Sequence, residues 1–278
     1  MSETGRSRLA RCFRALKARN EAAFVPFLMA GDGGIEATLE LALGMVEAGA
    51  DILEIGVPFS DPMADGPVLQ RAAERALAAG TTLPLVLDLV GRLRRHTEIP
   101  IVLFGYANPF FHFGVEPLAK AMRAAGADAL LCVDVPPDEA DEIRLPLARE
   151  GLPMIFLLAP TSTPERIGRV LRSAGGFVYF VSVAGVTGQK KVDPGAIADL
   201  VGHIRVQTEV PVGIGFGISS AGEVARVAGI SDAVIVGSRF SALIEDAGTV
   251  RAAVPTVLAL AREMKDATRR ATAGGTPG

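Results

Sequence analysis

The sequence predicts a single (β/α)8 barrel with an extra helix at its N-terminus and extra helices after the second and eighth strands. Three observations predict it. Eight short segments rich in Val, Ile, Leu and Phe alternate with longer segments whose apolar residues recur at helical spacing, an order that implies a parallel sheet with right-handed crossovers. A quasi-repeat punctuates the alternation. Glu47-Ala-Gly-Ala-Asp-Ile52, Ala124-Ala-Gly-Ala-Asp-Ala129, Arg149-Glu-Gly-Leu-Pro-Met154 and Ser173-Ala-Gly-Gly-Phe-Val178 each read helix end, glycine cap, short link, strand. Finally, the links into the strands are short, whereas the segments leaving them are polar, the asymmetry expected between the two ends of a barrel. Eight strands favour closure over an open doubly wound sheet, although periodicity alone does not report closure.

With 278 residues the chain suits one α/β barrel of about 250 residues, and two smaller units would fit the same length. One catalytic domain is expected over residues 1–270, followed by a disordered tail over 271–278. Hydrophobic residues make up 49% and charged residues 21%, enough for a sizeable core and against disorder. A net charge of -3 leaves no basic footprint for nucleic acid. Cys12 and Cys132 cannot build a disulfide framework, and Cys132 lies in an apolar run, as suits a buried reduced thiol. The first residues lack the apolar core of a signal peptide, and no apolar run approaches the roughly 18 residues of a membrane span, so the expected location is cytoplasmic.

Residues 7–19 carry Leu9, Cys12, Phe13 and Leu16 at helical spacing among arginines, an amphipathic helix laid across one end of the core. Strand-like residues 23–30 follow, and Gly31-Asp32-Gly33-Gly34 ends them. Ile35, Leu39, Leu43 and Val46 mark a helix over 35–48 with Gly49 as its cap. The second strand, 52–55, leads into a proline-rich loop, and helices over 68–79 and 83–95 precede the third strand at 99–104. Helix 117–125, strand 129–133, helix 139–149 and strand 153–158 continue the alternation. Ser162-Thr163-Pro164-Glu165 has the spacing of a capping box with proline in the first turn, and starts the next helix. The remaining strands fall at 177–183, 210–214 and 233–236, with helices after Pro194 and after Ser219 and Ser220, and a long final helix over 249–270.

The chemistry concentrates between Asp51 and Pro67. Glu54 stands among Ile52, Leu53 and Ile55, and a carboxylate buried in an apolar strand is costly without a partner. Strand alternation puts Ile52 and Glu54 on one face; if the Leu53 face packs on helices, Glu54 points into the barrel mouth. After Gly56 come three prolines together with Asp61 and Asp65, a stiff polar loop. Other polar residues leave the strands at Asp32, Tyr106, Asn108, Asp134, Thr161, Ser182, Thr187, Ser219 and Ser238, on the face where barrel active sites are built. Glycines gather there too, at Gly213, Gly215 and Gly217 after strand seven and at Gly237 before Ser238, with Gly185 and Gly188 after strand six. Backbone amides exposed by glycines at helix starts suit a phosphate; tight turns are the plainer alternative. The spacing is not that of a dinucleotide fingerprint. No lysine stands on a strand or its immediate end, so a Schiff base has no evident nucleophile, and the three histidines have no metal-ligand spacing. The residues by themselves thus point to cofactor-free acid–base work by carboxylates on a phosphorylated small molecule.

Leu53-Glu-Ile-Gly-Val-Pro-Phe-Ser-Asp-Pro-Met-Ala-Asp-Gly-Pro67, preceded by Phe24-Val-Pro-Phe27 and followed by Ser182-Val-Ala-Gly-Val-Thr-Gly188 and Gly215-Phe-Gly-Ile-Ser-Ser220, resembles the tryptophan synthase alpha subunit family over nearly the whole chain. The resemblance implies a TIM barrel that cleaves indole-3-glycerol phosphate to indole and glyceraldehyde 3-phosphate, indole passing through a tunnel to a beta subunit in an αββα assembly. It implies no metal and no cofactor on this chain, pyridoxal phosphate belonging to the beta subunit. By motif, Glu54 would be the general acid–base, Asp65 the partner of the indole N–H, and Tyr179 the tyrosine beside the glutamate. Phosphate would lie on Gly188, Gly217, Gly237 and Ser238, with Gly215 and Phe216 lining the cup. Phe27, Phe104, Tyr106 and Val133 would surround the indole, and Thr187 would contact the Asp65 loop as it closes. Two positions depart from the family pattern: Val183, where some members have arginine, and Gly33, where proline often follows Gly-Asp.

Overall fold

A computed structural model describes residues 7–181, 194–215 and 217–269. Its eight parallel strands close into a barrel in chain order, with the last strand hydrogen-bonded to the first. The chain begins with α1 (Arg8–Ala18), β1 (Ala23–Met29), α2 (Ile35–Glu47), β2 (Leu53–Gly56), α3 (Pro67–Ala78), α4 (Leu83–Arg94) and β3 (Ile101–Gly105). It continues with α5 (Ala107–Phe113), α6 (Val115–Ala125), β4 (Ala129–Cys132), α7 (Asp141–Arg149), β5 (Met154–Leu158), α8 (Pro164–Ser173) and β6 (Val178–Val181). The last elements are α9 (Pro194–Arg205), β7 (Val212–Gly215), α10 (Ala221–Ala228), β8 (Ala233–Val236), α11 (Ser238–Ala247) and α12 (Val250–Asp266). Among the described residues no single helix is long and apolar enough to cross a membrane.

Strand alternation sorts the core into two parts. Val25, Phe27, Ile52, Val102, Leu131 and Ile235 fill the barrel, while Leu53, Ile55, Leu103, Leu130, Phe180 and Val234 face the surrounding helices. The N-terminal helix behaves as its spacing predicts: Leu9, Phe13 and Leu16 join the interior cluster, with the Phe13 ring 5.9 Å from that of Phe177 at the strand-start end. Ser7 caps α1 by accepting a hydrogen bond from the Ala10 N–H at 3.1 Å.

Three aspartates hold that end of the barrel together, Asp51 and Asp128 from the quasi-repeats and Asp232 from the link before β8. Just before β2, Asp51 accepts the Phe24 N–H of β1 at 2.8 Å; before β4, Asp128 accepts the Ile101 N–H of β3 at 2.9 Å; before β8, Asp232 accepts the Val212 N–H of β7 at 2.9 Å. Each carboxylate also meets a cation, Lys265 at 2.8 Å, Arg94 at 2.8 Å and Arg205 respectively. The Gly175-Gly176 turn before β6 has no carboxylate to offer.

The elements depart from expectation in a few places. A seven-residue helix, α5, follows β3 where the sequence predicts no element before the helix over 117–125; Pro109 sits in its first turn, where a missing N–H costs nothing. At α8 the cap is Thr163, which accepts the Arg166 N–H at 3.3 Å, and Ser162 instead accepts the Ala159 N–H at 3.0 Å, so the capping-box register is shifted by one residue. The two helices after β8 are as expected, but the final one ends at Asp266 rather than near 270. Positions 182 and 183 of the expected sixth strand, and the expected tail over 271–278, lie outside the described residues.

Candidate active site

Glu54 points into the barrel, between Phe27 of β1 and Val102 of β3 in register. Leu53 and Ile55 beside it pack outward among the helices, the arrangement that makes the inward face its only outlet. The side chain is 1% exposed and its Oε1 has no hydrogen-bond partner. Burial away from water, helped by the nearby negative charge of Asp65, pushes its pKa from the ordinary 4.5 up to about 8. At neutral pH Glu54 is therefore mostly a carboxylic acid.

The loop 57–66 brings the second carboxylate back over the mouth. Val57 donates its N–H to Phe104 O at 2.8 Å, the Phe59 ring lies 5.4 Å from that of Tyr106, and Ala64 donates its N–H to the Tyr106 hydroxyl at 3.1 Å. Gln70, in the first turns of α3, donates to Asp65 O at 2.9 Å, and Pro67 occupies the first helical position after Gly66. The result is a loop tied back at several points, whose tip residue Met63 is 92% exposed while Asp65 is only 7% exposed. Asp65 Oδ1 has no partner. Burial raises its pKa from 3.8 to about 6, against the lowering effect of the Tyr106 hydroxyl beside it, so at pH 7 it is mostly the anion. The two carboxyl groups are thus separated in charge by their surroundings, a protonated acid facing an anion, which is the pattern of a working acid–base pair.

Tyr179 stands on β6 between Leu157 of β5 and Gly213 of β7. It is buried, and desolvation together with the charges of Glu54 and Asp65 drives its pKa well above the ordinary range, so it keeps its proton. Gly215 makes room for it: a methyl group on Gly215 would overlap the Tyr179 hydroxyl and lie 2.7 Å from its Cζ. Phe27 and Phe104 meet edge to face with centroids 5.2 Å apart, and Gly56 is needed beneath them, since a methyl group there would lie 2.5 Å from Phe27 Cζ. Phe104 and Tyr106 are buried and Val133 is half-buried at the end of β4.

On the far side, Gly217 is exposed with φ of +73°, a backbone that favours glycine. Gly237 caps α11 and the exposed Ser238 begins it, so the first N–H groups of that helix have no partner within it. Gly188, Phe216 and Thr187, the other expected members of the phosphate cup and the closing loop, lie outside the described residues, as do Gly185, Ser182 and Val183. Gly33 adopts φ of +79°, which proline cannot reach, so the turn after β1 is built for glycine at this position. Among the described residues no group of three or more His, Cys, Asp or Glu side chains could hold a metal ion. Sequence reasoning did not find the hydrogen bond that makes Tyr106 the anchor of the Asp65 loop. It also placed Asp32 only among the polar strand exits, whereas Asp32 is buried against Arg75.

A closed (β/α)8 barrel with a buried acid, a loop-borne carboxylate and a neutral tyrosine at the ends of its strands is a barrel enzyme of the acid–base class. The family model described as tryptophan synthase alpha chain matches residues 13–269. The chain belongs to the tryptophan synthase alpha chain family. It is 48% identical over 260 residues to the tryptophan synthase alpha chain of Dechloromonas aromatica (strain RCB), covering 93% of this chain and 97% of that one. It is also 48% identical over 248 residues to that of Burkholderia pseudomallei (strain 1106a), covering 89% and 92%. The structure is similar to the crystal structure of tryptophan synthase subunit alpha from Legionella pneumophila str. Paris, with a TM-score of 0.88 at 36% identity over 94% of this chain and 98% of that chain. It is similar as well to tryptophan synthase from M. tuberculosis in its open form with BRD0059 bound, with a TM-score of 0.86 at 34% identity over 95% and 100%.

Proposed function

We infer that the chain cleaves indole-3-glycerol phosphate to indole and glyceraldehyde 3-phosphate, a carbon–carbon lyase reaction in the last steps of tryptophan biosynthesis. The observation that carries the mechanism is the unpartnered, protonated Glu54 facing an anionic Asp65 in a site walled by Phe27, Phe104 and Tyr106. Glu54 donates its proton to the ring carbon that bears the glycerol chain. The positive charge this creates is shared with the indole nitrogen, whose N–H donates to the Asp65 carboxylate, a contact strengthened by the low-dielectric surroundings. Glu54, now ionised, takes the proton of the hydroxyl next to the ring. The bond between ring and chain breaks, its electrons restore the aromatic ring, and the hydroxyl-bearing carbon becomes the aldehyde. The proton count on Glu54 closes, so the residue is ready for the next cycle.

Tyr179, held neutral, acts beside Glu54 as a hydroxyl that orients it. The phosphate rests on the backbone of Gly188, Gly217, Gly237 and Ser238, with Gly215 and Phe216 lining the cup, and Val133 completes the indole pocket. Thr187 contacts the Asp65 loop as it closes and helps exclude water. The chain works without a cofactor or metal of its own. Indole passes to a pyridoxal-phosphate beta subunit in an αββα heterotetramer, and the assembly is cytoplasmic.

Indole release from indole-3-glycerol phosphate tests the reading. Glu54→Gln is expected to abolish release while a phosphate-bearing inhibitor still binds; undiminished release would remove Glu54 from the chemistry. Co-purification with a beta subunit, or stimulation of indole release by one, checks the assembly; its failure would leave a stand-alone lyase.

A further inference from the structure

Helix α3 begins two residues after Asp65 and lies over the end of β1, with Ala72, Ala73 and Ala76 buried in the same cluster as Phe27 and Met29. Leu69 in the first turn is the one long side chain of α3 packed on that cluster; the alanines beyond it bury little surface, so packing holds the later turns of the helix only weakly along its axis. Ion pairs fix it instead. On one side Arg75 forms a bidentate pair with Asp32 in the turn after β1, Nε to Oδ1 at 2.8 Å and Nη2 to Oδ2 at 2.8 Å. The Asp32 side chain is 5% exposed and both its oxygens are engaged by this fork. The same turn reaches the far end of the helix: a methyl group on Gly31 would lie 2.7 Å from Cβ of Thr81. On the other side Arg71 pairs with Glu245 of α11 through Nε at 2.5 Å and Nη2 at 2.9 Å. At the N-terminal end Gln70 grips the loop itself through Asp65 O.

We propose that Asp32 and Arg75 are positioning residues for the reaction, a clasp that sets where α3 lies over the barrel mouth and thereby holds Asp65 at its working distance from Glu54. The buried fork is the stronger arm because two parallel charge-assisted hydrogen bonds define a direction as well as a distance. The Arg71–Glu245 arm is half-exposed and screened by salt, and it ties α3 to the helix whose first residues are Gly237 and Ser238. The proposal rests on the role given above to Asp65.

The test measures kcat, KM and the pH profile of indole release for Arg75→Lys, which keeps the charge but loses the fork, and Asp32→Asn, which keeps the shape but loses the charge. A shift of Asp65 by about 1 Å is expected to lower kcat about 10- to 100-fold with KM changed less than about threefold. The ionisable groups facing Glu54 are Asp65 and the neutral Tyr179. Withdrawing the Asp65 charge lowers the Glu54 pKa, so the alkaline limb of the profile moves to lower pH. Glu245→Gln is expected to give a smaller change in the same direction. Asp232→Asn, at the opposite end of the barrel, is the control for simple destabilisation: it lowers Tm and leaves the alkaline limb in place. Unchanged kcat and pH profile in both clasp variants would overturn the proposal, as would an equal displacement of the limb in Asp232→Asn. An Asp65→Asn variant with full activity would instead remove the role of Asp65, and the clasp's purpose with it.

Discussion

Replacing Glu54 by glutamine is expected to abolish activity and, at alkaline pH, to stabilise the protein. The folded-state pKa is about 8 against an ordinary 4.5, so the native chain binds a proton that the unfolded chain has released. A group of this kind costs nothing below pH 4.5, where both states are protonated. Its cost grows as pH rises between the two values and is complete above pH 8, because stability falls with pH wherever the native state binds more protons. At 1.36 kcal/mol per unit the difference in cost between pH 5 and pH 9 comes to about 4 kcal/mol. Asp65, raised from 3.8 to about 6, contributes in the same direction but within a lower window, and it is present in both proteins being compared. Glutamine carries no proton to lose. Urea unfolding at pH 5 and pH 9 for both proteins checks this, with the gain from Glu54→Gln expected to be about 1 kcal/mol or less at pH 5 and about 4 kcal/mol larger at pH 9. A gain that is the same at both pH values would refute the assignment of a buried, protonated acid.

Two further substitutions probe the walls of the site. Gly215→Ala forces the Tyr179 hydroxyl out of its place; overpacking of this kind is expected to cost about 1–3 kcal/mol in unfolding free energy and to lower indole release at least about tenfold, and wild-type values in both measurements would refute it. Tyr106→Phe removes the acceptor of the Ala64 N–H and the hydroxyl that lowers the Asp65 pKa. Thermal unfolding should report a loss of about 1 kcal/mol, and the acid limb of the pH–rate profile should move to higher pH, since Asp65 must be ionised to work.

The sequence is legible where one physical rule acts alone. Alternation along 52–55 correctly aims Glu54 inward because Leu53 and Ile55 have the helices to pack against. The helix–glycine–strand repeats count the barrel's units because each crossover needs the same punctuation. Legibility fails where tertiary partners decide. Helix α5 is too short for periodicity to register, and its one buried aromatic, Phe110, finds its place only against the barrel: a methyl group on Gly105 would lie 2.7 Å from its ring. The Asp32–Arg75 pair joins residues 43 positions apart, with nothing local to mark it. The aspartates before β2, β4 and β8 are an intermediate case: Asp51 and Asp128 recur at one place in the repeats, visibly in the chain, but Asp232 lies outside them, and the strand N–H that each accepts belongs to the neighbouring strand.

Those aspartates have a consequence for how the barrel can change shape. They rivet β1 to β2, β3 to β4 and β7 to β8 at the end remote from the chemistry, so mutations that reshape the mouth leave the frame intact and the two ends can be altered independently. Among the described residues β5 and β6 are the strands that take part in no such rivet, and β6 carries Tyr179 on the wall opposite β2. The wall whose displacement alters the space between Tyr179 and Glu54 thus lacks this fastening, and adaptation to a larger or smaller ring can occur there without undoing any of the three rivets.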